Sequence, residues 1–285
     1  MEVKKIAVIG AGLMGAGIAQ VAAQAGFEVS LVDVEQRFLD KGLGTIQKNL
    51  DRAVSKGKME AADAEAIRGR VTGSLSLADV AKDADVVIEA VIEKMELKKS
   101  VFGELEQNAK DSAIFASNTS ALSITELATA TNRPERFIGM HFFNPVPVMK
   151  LVEIIRGYST SDETVSTIKD LTDKMGKTGI QVSEAPGFVV NRILVPMVTE
   201  AIFALQEGLA TPEEIDQGMK LGANHPIGPL ALADLVGLDT LLLVQQNLYD
   251  EFGDSKYRPP ALLKKMVRAG HLGRKTGRGF YDYTK

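Results

Sequence analysis

The chain has no cysteine in its 285 residues. That excludes disulfides, thiolate catalysis and thiolate metal sites together. Only three histidines are present. None is grouped with carboxylates at ligand spacing, so no metal site is expected. No apolar run approaches the ~18–20 residues that a membrane-spanning helix needs. Met1–Ile6 leads straight into a strand pattern, which leaves no room for a signal peptide. Net charge is −4 and there is no polybasic tail, which argues against a nucleic-acid partner. These absences predict a soluble, cytoplasmic protein.

What is present is ordinary globular material, 45% hydrophobic and 25% charged. The length suits one large domain or two ordinary ones. Lys5–Ile9 is a short apolar β run, followed by Gly10-Ala11-Gly12-Leu13-Met14-Gly15. A small-residue helix is predicted over Ala16–Ala25, a second β run over Phe27–Val32, and Asp33 ends it. A diphosphate needs backbone amides and close approach. Glycine supplies both, and the helix N-terminus adds partial positive charge. An acid at the end of the next strand can bind both ribose hydroxyls and repels a 2′-phosphate. The pattern points to a dinucleotide, and to NAD before NADP, although Arg37 lies close enough to keep NADP open.

The rest divides in two. Residues 1–186 alternate strands and helices, with strands expected at Asp85–Ala90, Ala113–Ala116, Phe137–Phe143, Leu151–Ile155 and Gly179–Val182. This predicts a Rossmann-type doubly wound sheet with a helical-pair insertion over about 37–68. After Ala185-Pro186-Gly187 the pattern turns helical, and residues 187–285 read as an all-helical domain. Its helices are expected at Phe188–Glu207, from the capping box Thr211-Pro212-Glu213-Glu214, at Leu230–Phe252 and at Ala261–Ala269.

Two residues carry the chemistry. His141 lies in Ile138-Gly139-Met140-His141-Phe142-Phe143-Asn144-Pro145. A histidine on an apolar strand is, by itself, more often a satisfied core residue than a catalyst. Glu153 alters the balance, because it sits among Leu151, Val152, Ile154 and Ile155, and a buried carboxylate needs a partner. The two strands are consecutive, so the pair can meet. A carboxylate on one imidazole nitrogen fixes the tautomer and leaves the other for proton transfer, which alcohol oxidation requires. A structural ion pair is the alternative. Ser117-Asn118-Thr119-Ser120 follows a strand, at the carboxyl end where open α/β sheets bind ligands. Helix capping explains Ser123 and fits Thr119 as well. Asn191 sits in an apolar helix and needs a polar partner, with a substrate oxygen as one candidate. Arg37, Lys41, Lys48, Arg52 and Lys56 share an arc of roughly 100° on one helix face. Such a stripe is either a solvated face or a landing site for an anionic handle.

Taken together these segments resemble the 3-hydroxyacyl-CoA dehydrogenase family over essentially the whole chain. The resemblance rests on the glycine turn, Glu89-Ala90-Val91-Ile92-Glu93, Phe115-Ala116-Ser117-Asn118-Thr119-Ser120 and the His141 segment. It extends through Pro186-Gly187-Phe188-Val189-Val190-Asn191-Arg192, Gly222-Ala223-Asn224-His225-Pro226 and Gly273-Arg274-Lys275-Thr276-Gly277-Arg278-Gly279-Phe280-Tyr281. It implies an NAD-dependent oxidoreductase acting on an acyl-CoA, leaning toward four carbons. His141 would be the acid–base group and Glu153 its orienting partner. Ser120 and Asn191 would hold substrate oxygens. Gly10, Gly12, Leu13, Met14, Gly15, Asp33, Glu93, Lys98, Asn118, Ser120, Asn144 and Lys275 match positions the family uses around NAD. Arg52 and Lys56 fall where the family meets CoA, while Asn49 stands where some members have a serine. The last helices imply a homodimer. A dehydrogenase of a CoA-free 3-hydroxy acid or sugar acid, and a non-catalytic dinucleotide-binding protein, are the alternatives.

Overall fold

Short β-branched runs build the sheet of the first of two units, Met1–Ala185 and Pro186–Lys285, into which the chain divides. The computed structural model describes residues 1–284. The first unit runs β1 (Lys5–Ile9), α1 (Leu13–Gln24), β2 (Glu28–Val32), α2 (Gln36–Ser55), α3 (Ala61–Gly69) and β3 (Val71–Ser74). It continues through α4 (Leu77–Ala81), β4 (Val86–Glu89), α5 (Met95–Glu106), β5 (Ile114–Ser117), α6 (Ile124–Ala128) and β6 (Phe137–Phe142). β7 (Leu151–Arg156), α7 (Asp162–Lys174) and β8 (Thr178–Ser183) complete it.

The eight strands form one sheet in the order β3-β2-β1-β4-β5-β6-β7-β8. The first six are parallel, in the dinucleotide-binding order, so their carboxyl ends share one edge. β7 runs antiparallel to β6, and β8 is parallel to β7. Central strands are buried on both faces, as crossover helices require: every residue of β4, β5 and β6 is buried. The helical pair is α2 and α3. Leu39, Gly42, Ile46 and Leu50 form the buried stripe of α2, and a Cβ on Gly42 would lie 2.6 Å from the Ala11 carbonyl oxygen. The insertion therefore packs directly on the glycine turn.

The second unit contains α8 (Val190–Gln206), α9 (Pro212–Gly222), α10 (Pro229–Val236), α11 (Leu238–Phe252) and α12 (Ala261–Arg268). Val195, Val198, Ile202, Leu230, Leu238, Leu241, Leu248 and Leu263 are among its core residues. Thr211 and Glu214 form the expected capping box, with Pro212 in the first turn. The single helix expected over Leu230–Phe252 is two. Gly237 adopts φ +100°, and α10 and α11 bend by 99° about it. The expected Phe188–Glu207 helix starts later, because Gly187 (φ +74°) and Phe188 (φ +51°) are both left-handed. Among the described residues, no single helix is long and apolar enough to cross a membrane.

Candidate active site

The three glycines of the turn do different things. Gly10 takes φ +100°, and a Cβ there would sit 2.7 Å from the Ala90 carbonyl oxygen. A Cβ on Gly15 would fall 1.7 Å from the Gly10 oxygen, so it is the packing glycine. Gly12 is exposed, with nothing within 4 Å of a hypothetical Cβ: open space at the head of α1. No side chain caps α1 at Gly12 and no acid lies in its first turn, so its amides face outward without an internal carboxylate. Leu13 is exposed and Met14 half-buried beside them. Asp33 is fixed at the end of β2, its Oδ2 accepting the Ala11 N–H at 2.7 Å and its Oδ1 the Val34 N–H at 2.8 Å. An open glycine cradle with a fixed acid beside it fits NAD. Arg37 is turned to Glu35 at 2.8 Å.

A buried polar cluster joins the carboxyl ends of β4 and β5. Glu89, the last residue of β4, is fully buried and accepts from Lys98 Nζ and Ser117 Oγ, each at 2.6 Å, and from the Val91 N–H at 2.7 Å. Burial pushes its carboxyl up from the usual range against the pull of Lys98 and these hydrogen bonds. Glu93 lies 3.3 Å from Lys98 Nζ through one oxygen. Its other oxygen accepts from Thr119 Oγ1 at 2.6 Å, the Ser120 N–H at 2.7 Å and the Ala121 N–H at 3.2 Å. Ser120 is thus held by its backbone. Lys98, expected beside the cofactor, is fully buried within this cluster.

His141 and Glu153 are direct register partners across the antiparallel β6–β7 pair. Opposed residues of such a pair project from the same face, so the register makes them touch. Nδ1 lies 2.7 Å from Glu153 Oε2, with His141 5% exposed and Glu153 fully buried. The Phe143 ring lies 4.5 Å from the imidazole. Asn118 Oδ1 accepts the Phe142 N–H at 2.9 Å, tying the end of β5 to the histidine strand. Asn144 is exposed in the turn that follows. Lys177, buried at the head of β8, donates to the carbonyls of Val146 (2.5 Å) and Met149 (2.8 Å) and so pins that turn. Burial pushes its ammonium below the usual lysine range.

Arg52 and Lys56 are exposed on α2 and at its end, in line with Lys41 and Lys48. In the second unit, Asn191 is half-buried in the first turn of α8. Lys275 is exposed and paired with Asp239 at 2.6 Å. Sequence reasoning missed Glu89 and Lys177. Glu89 carries the same signal that revealed Glu153, a carboxylate ending an apolar run.

An acid–base couple on the same sheet edge as a diphosphate cradle defines the class: a nicotinamide-dependent dehydrogenase of a hydroxyl-bearing substrate. Comparison with known proteins narrows it. Residues 5–185 match the family model of the 3-hydroxyacyl-CoA dehydrogenase NAD-binding domain, and residues 187–283 that of the C-terminal domain. The 3-hydroxybutyryl-CoA dehydrogenase of Clostridioides difficile is 53% identical over 99% of this chain and 100% of its own. Human mitochondrial hydroxyacyl-coenzyme A dehydrogenase is 44% identical over 99% of this chain and 91% of its own. The crystal structure of (S)-3-hydroxybutyryl-CoA dehydrogenase from Ralstonia eutropha superposes with a TM-score of 0.97 at 53% identity, each chain covered completely. The chain belongs to the 3-hydroxyacyl-CoA dehydrogenase family, and its first unit is that family's NAD-binding domain.

Proposed function

We propose that the protein interconverts (S)-3-hydroxybutyryl-CoA and acetoacetyl-CoA with NAD(H), as a cytoplasmic homodimer joined through its helical unit. The observation that carries this reading is the His141–Glu153 contact of 2.7 Å on a dinucleotide-binding sheet. NAD, when bound, supplies the hydride acceptor for oxidation and, once reduced, the donor for reduction. Glu153 accepts the Nδ1–H of His141 and so sets the tautomer in which Nε2 carries the lone pair. Nε2 takes the 3-hydroxyl proton during oxidation and returns it during reduction. Glu153 also stabilises the imidazolium formed between these events.

Ser120 Oγ and Asn191 hold the substrate oxygens. The Gly10–Gly15 turn, Asp33, Glu93, Asn118, Asn144 and Lys275 serve the cofactor. Lys48, Arg52 and Lys56 receive the phosphates of the CoA handle, which supports a CoA ester over a free hydroxy acid. The dimer is supported by apolar side chains standing exposed on the second unit, among them Ile193 (66%), Leu209 (79%) and Leu221 (76%). The test is loss of NADH absorbance on adding acetoacetyl-CoA. No loss across a range of enzyme concentrations overturns the assignment. Comparing four- to sixteen-carbon 3-ketoacyl-CoAs with NADH and NADPH sets the chain length and cofactor. Sedimentation at two protein concentrations tests the dimer.

A further inference from the structure

We infer that Lys177 is a positioning residue of the active site: its ammonium fixes the β6–β7 connection, residues 143–150, and through it the placing of Asn144. The inference rests on the reading that NAD and Asn144 meet at this edge of the sheet.

Three lysine or arginine side chains are buried, Lys98, Arg133 and Lys177. Lys98 meets Glu89 at 2.6 Å and Arg133 meets Glu106 at 2.8 Å. Lys177, 8% exposed, makes no ion pair among the described residues. A buried charge without a counter-ion is costly, and a methionine would fill the same space without that cost. What the ammonium supplies is donors. Nζ donates to the carbonyls of Val146 at 2.5 Å and Met149 at 2.8 Å. The N–H groups of Val148 and Met149 go elsewhere, both to the Pro145 carbonyl at 2.9 Å. Buried carbonyls need partners, and Lys177 serves two points of the connection at once. An apolar side chain would serve neither.

The connection is held from its other side by α1. Val146 is buried, and a Cβ on Gly17 would lie 2.8 Å from Val146 Cβ. Gly17 therefore lets the connection lie against the helix that the glycine turn heads. Next to Lys177, the Thr178 N–H donates to the Lys150 carbonyl at 2.7 Å, where the β7–β8 ladder begins. At the near end of the connection, Phe143 sets its ring 4.5 Å from the imidazole of His141, and Asn144 follows it, exposed. Without the ammonium, the Val146 and Met149 carbonyls must turn toward water. Asn144, two residues before Val146, turns with them. His141 does not follow, because Glu153 faces it across the strand ladder. The loss therefore falls on cofactor binding, while the proton-transferring couple keeps its character.

The experiment uses full-length Lys177→Met, Asn144→Ala and the double variant. It measures NADH affinity by fluorescence, and acetoacetyl-CoA reduction across a range of pH. Lys177→Met is expected to raise the Kd and KM for NADH roughly 3–30-fold, a span typical of residues coupled in one network, with a smaller fall in kcat. The pH profile of kcat keeps its midpoint. A shifted midpoint would show that Lys177 acts on His141 itself and overturn the inference. The double variant is expected to bind NADH no worse than the weaker of the two single variants. Effects that multiply would show that Lys177 does not act through Asn144, and they overturn the inference. A lowered Tm with unchanged NADH affinity would show a purely structural role and overturn it as well. If Lys177→Met does not fold, Lys177→Gln takes its place, since its N–H donors end one bond short of the ammonium. Unchanged NADH affinity there overturns the inference too. Parent protein that fails to bind NADH would sink the dinucleotide reading itself, a separate result.

Discussion

The two units solve the same problem, a buried carboxylate, in opposite ways. In the sheet unit, Glu89 and Glu153 are fully buried and face ionisable side chains, Lys98 and His141. In the helical unit, Asp216 and Asp234 are buried and face backbone amides and tyrosine hydroxyls. Asp216 accepts the Leu230 and Ala231 N–H groups at the head of α10 and the Tyr281 hydroxyl, at 2.8–2.9 Å. Asp234 accepts the Phe280 and Tyr281 N–H groups and the Tyr283 hydroxyl, at 2.9–3.1 Å. Burial, with Asp216 beside it, pushes the Tyr281 phenol well above its usual range. Glycines give these carboxylates room: a Cβ on Gly228 would fall 2.2 Å from the Asp216 carboxyl carbon, and one on Gly279 would fall 1.9 Å from Asp234 Oδ1. An imidazole set against a carboxylate can take up and release a proton. Amides, and phenols whose titration is pushed upward, serve to fasten chain to chain. The first unit is built for chemistry, and the second latches its own C-terminal segment, residues 273–284, across its helices.

That contrast can be broken at defined points. The largest effect is expected at His141→Gln, with kcat lower by roughly 10²–10⁴ and NADH affinity unchanged. Unchanged turnover would make the couple a structural ion pair. Next, Asp234→Ala should cost about 3 kcal/mol or more in urea unfolding, because three donors lose a charged acceptor in the interior. NADH binding measured on the folded protein should be untouched, and a parallel loss of binding would erase the division of labour. Charge reversal at Lys48, Arg52 and Lys56 should raise the KM for acetoacetyl-CoA on the order of tenfold, most strongly at low salt. An unchanged KM favours a substrate without CoA. The smallest effect is expected at Asp85→Asn, about 1 kcal/mol. Burial raises the Asp85 carboxyl, but Lys110 and the Lys4 and Lys5 N–H groups outweigh it and hold it below the usual range. A folded value below the unfolded one gives stability that is present above the unfolded value of 3.8 and fades as pH falls through the lower one. Urea midpoints of parent and variant should therefore converge in acid.

Much of this was legible in the chain. The glycine turn announced itself because only glycine tolerates the Gly10 dihedral and the Gly15 contact, and Asp33 stands where the strand period puts it. His141 and Glu153 were readable as a polar pair on neighbouring apolar strands, although only the register shows them directly opposed. The burial of Lys98 is not announced by any pattern, since a lysine in a helix looks the same whether it points out or in. The break at Gly237 was hidden for a related reason. The Leu-rich run on either side keeps its helical period, and a single glycine within it costs a helix only about 1 kcal/mol. Tertiary packing decides such a position, and packing is not written locally.

The His141–Glu153 contact belongs to a hydrogen-bonded ladder and to no loop. The connection between β6 and β7, residues 143–150, is therefore under no obligation to keep its length or sequence for the couple to stay aligned. The alignment of the proton-transferring couple is thus written in the strand register and not in the turn that joins the two strands.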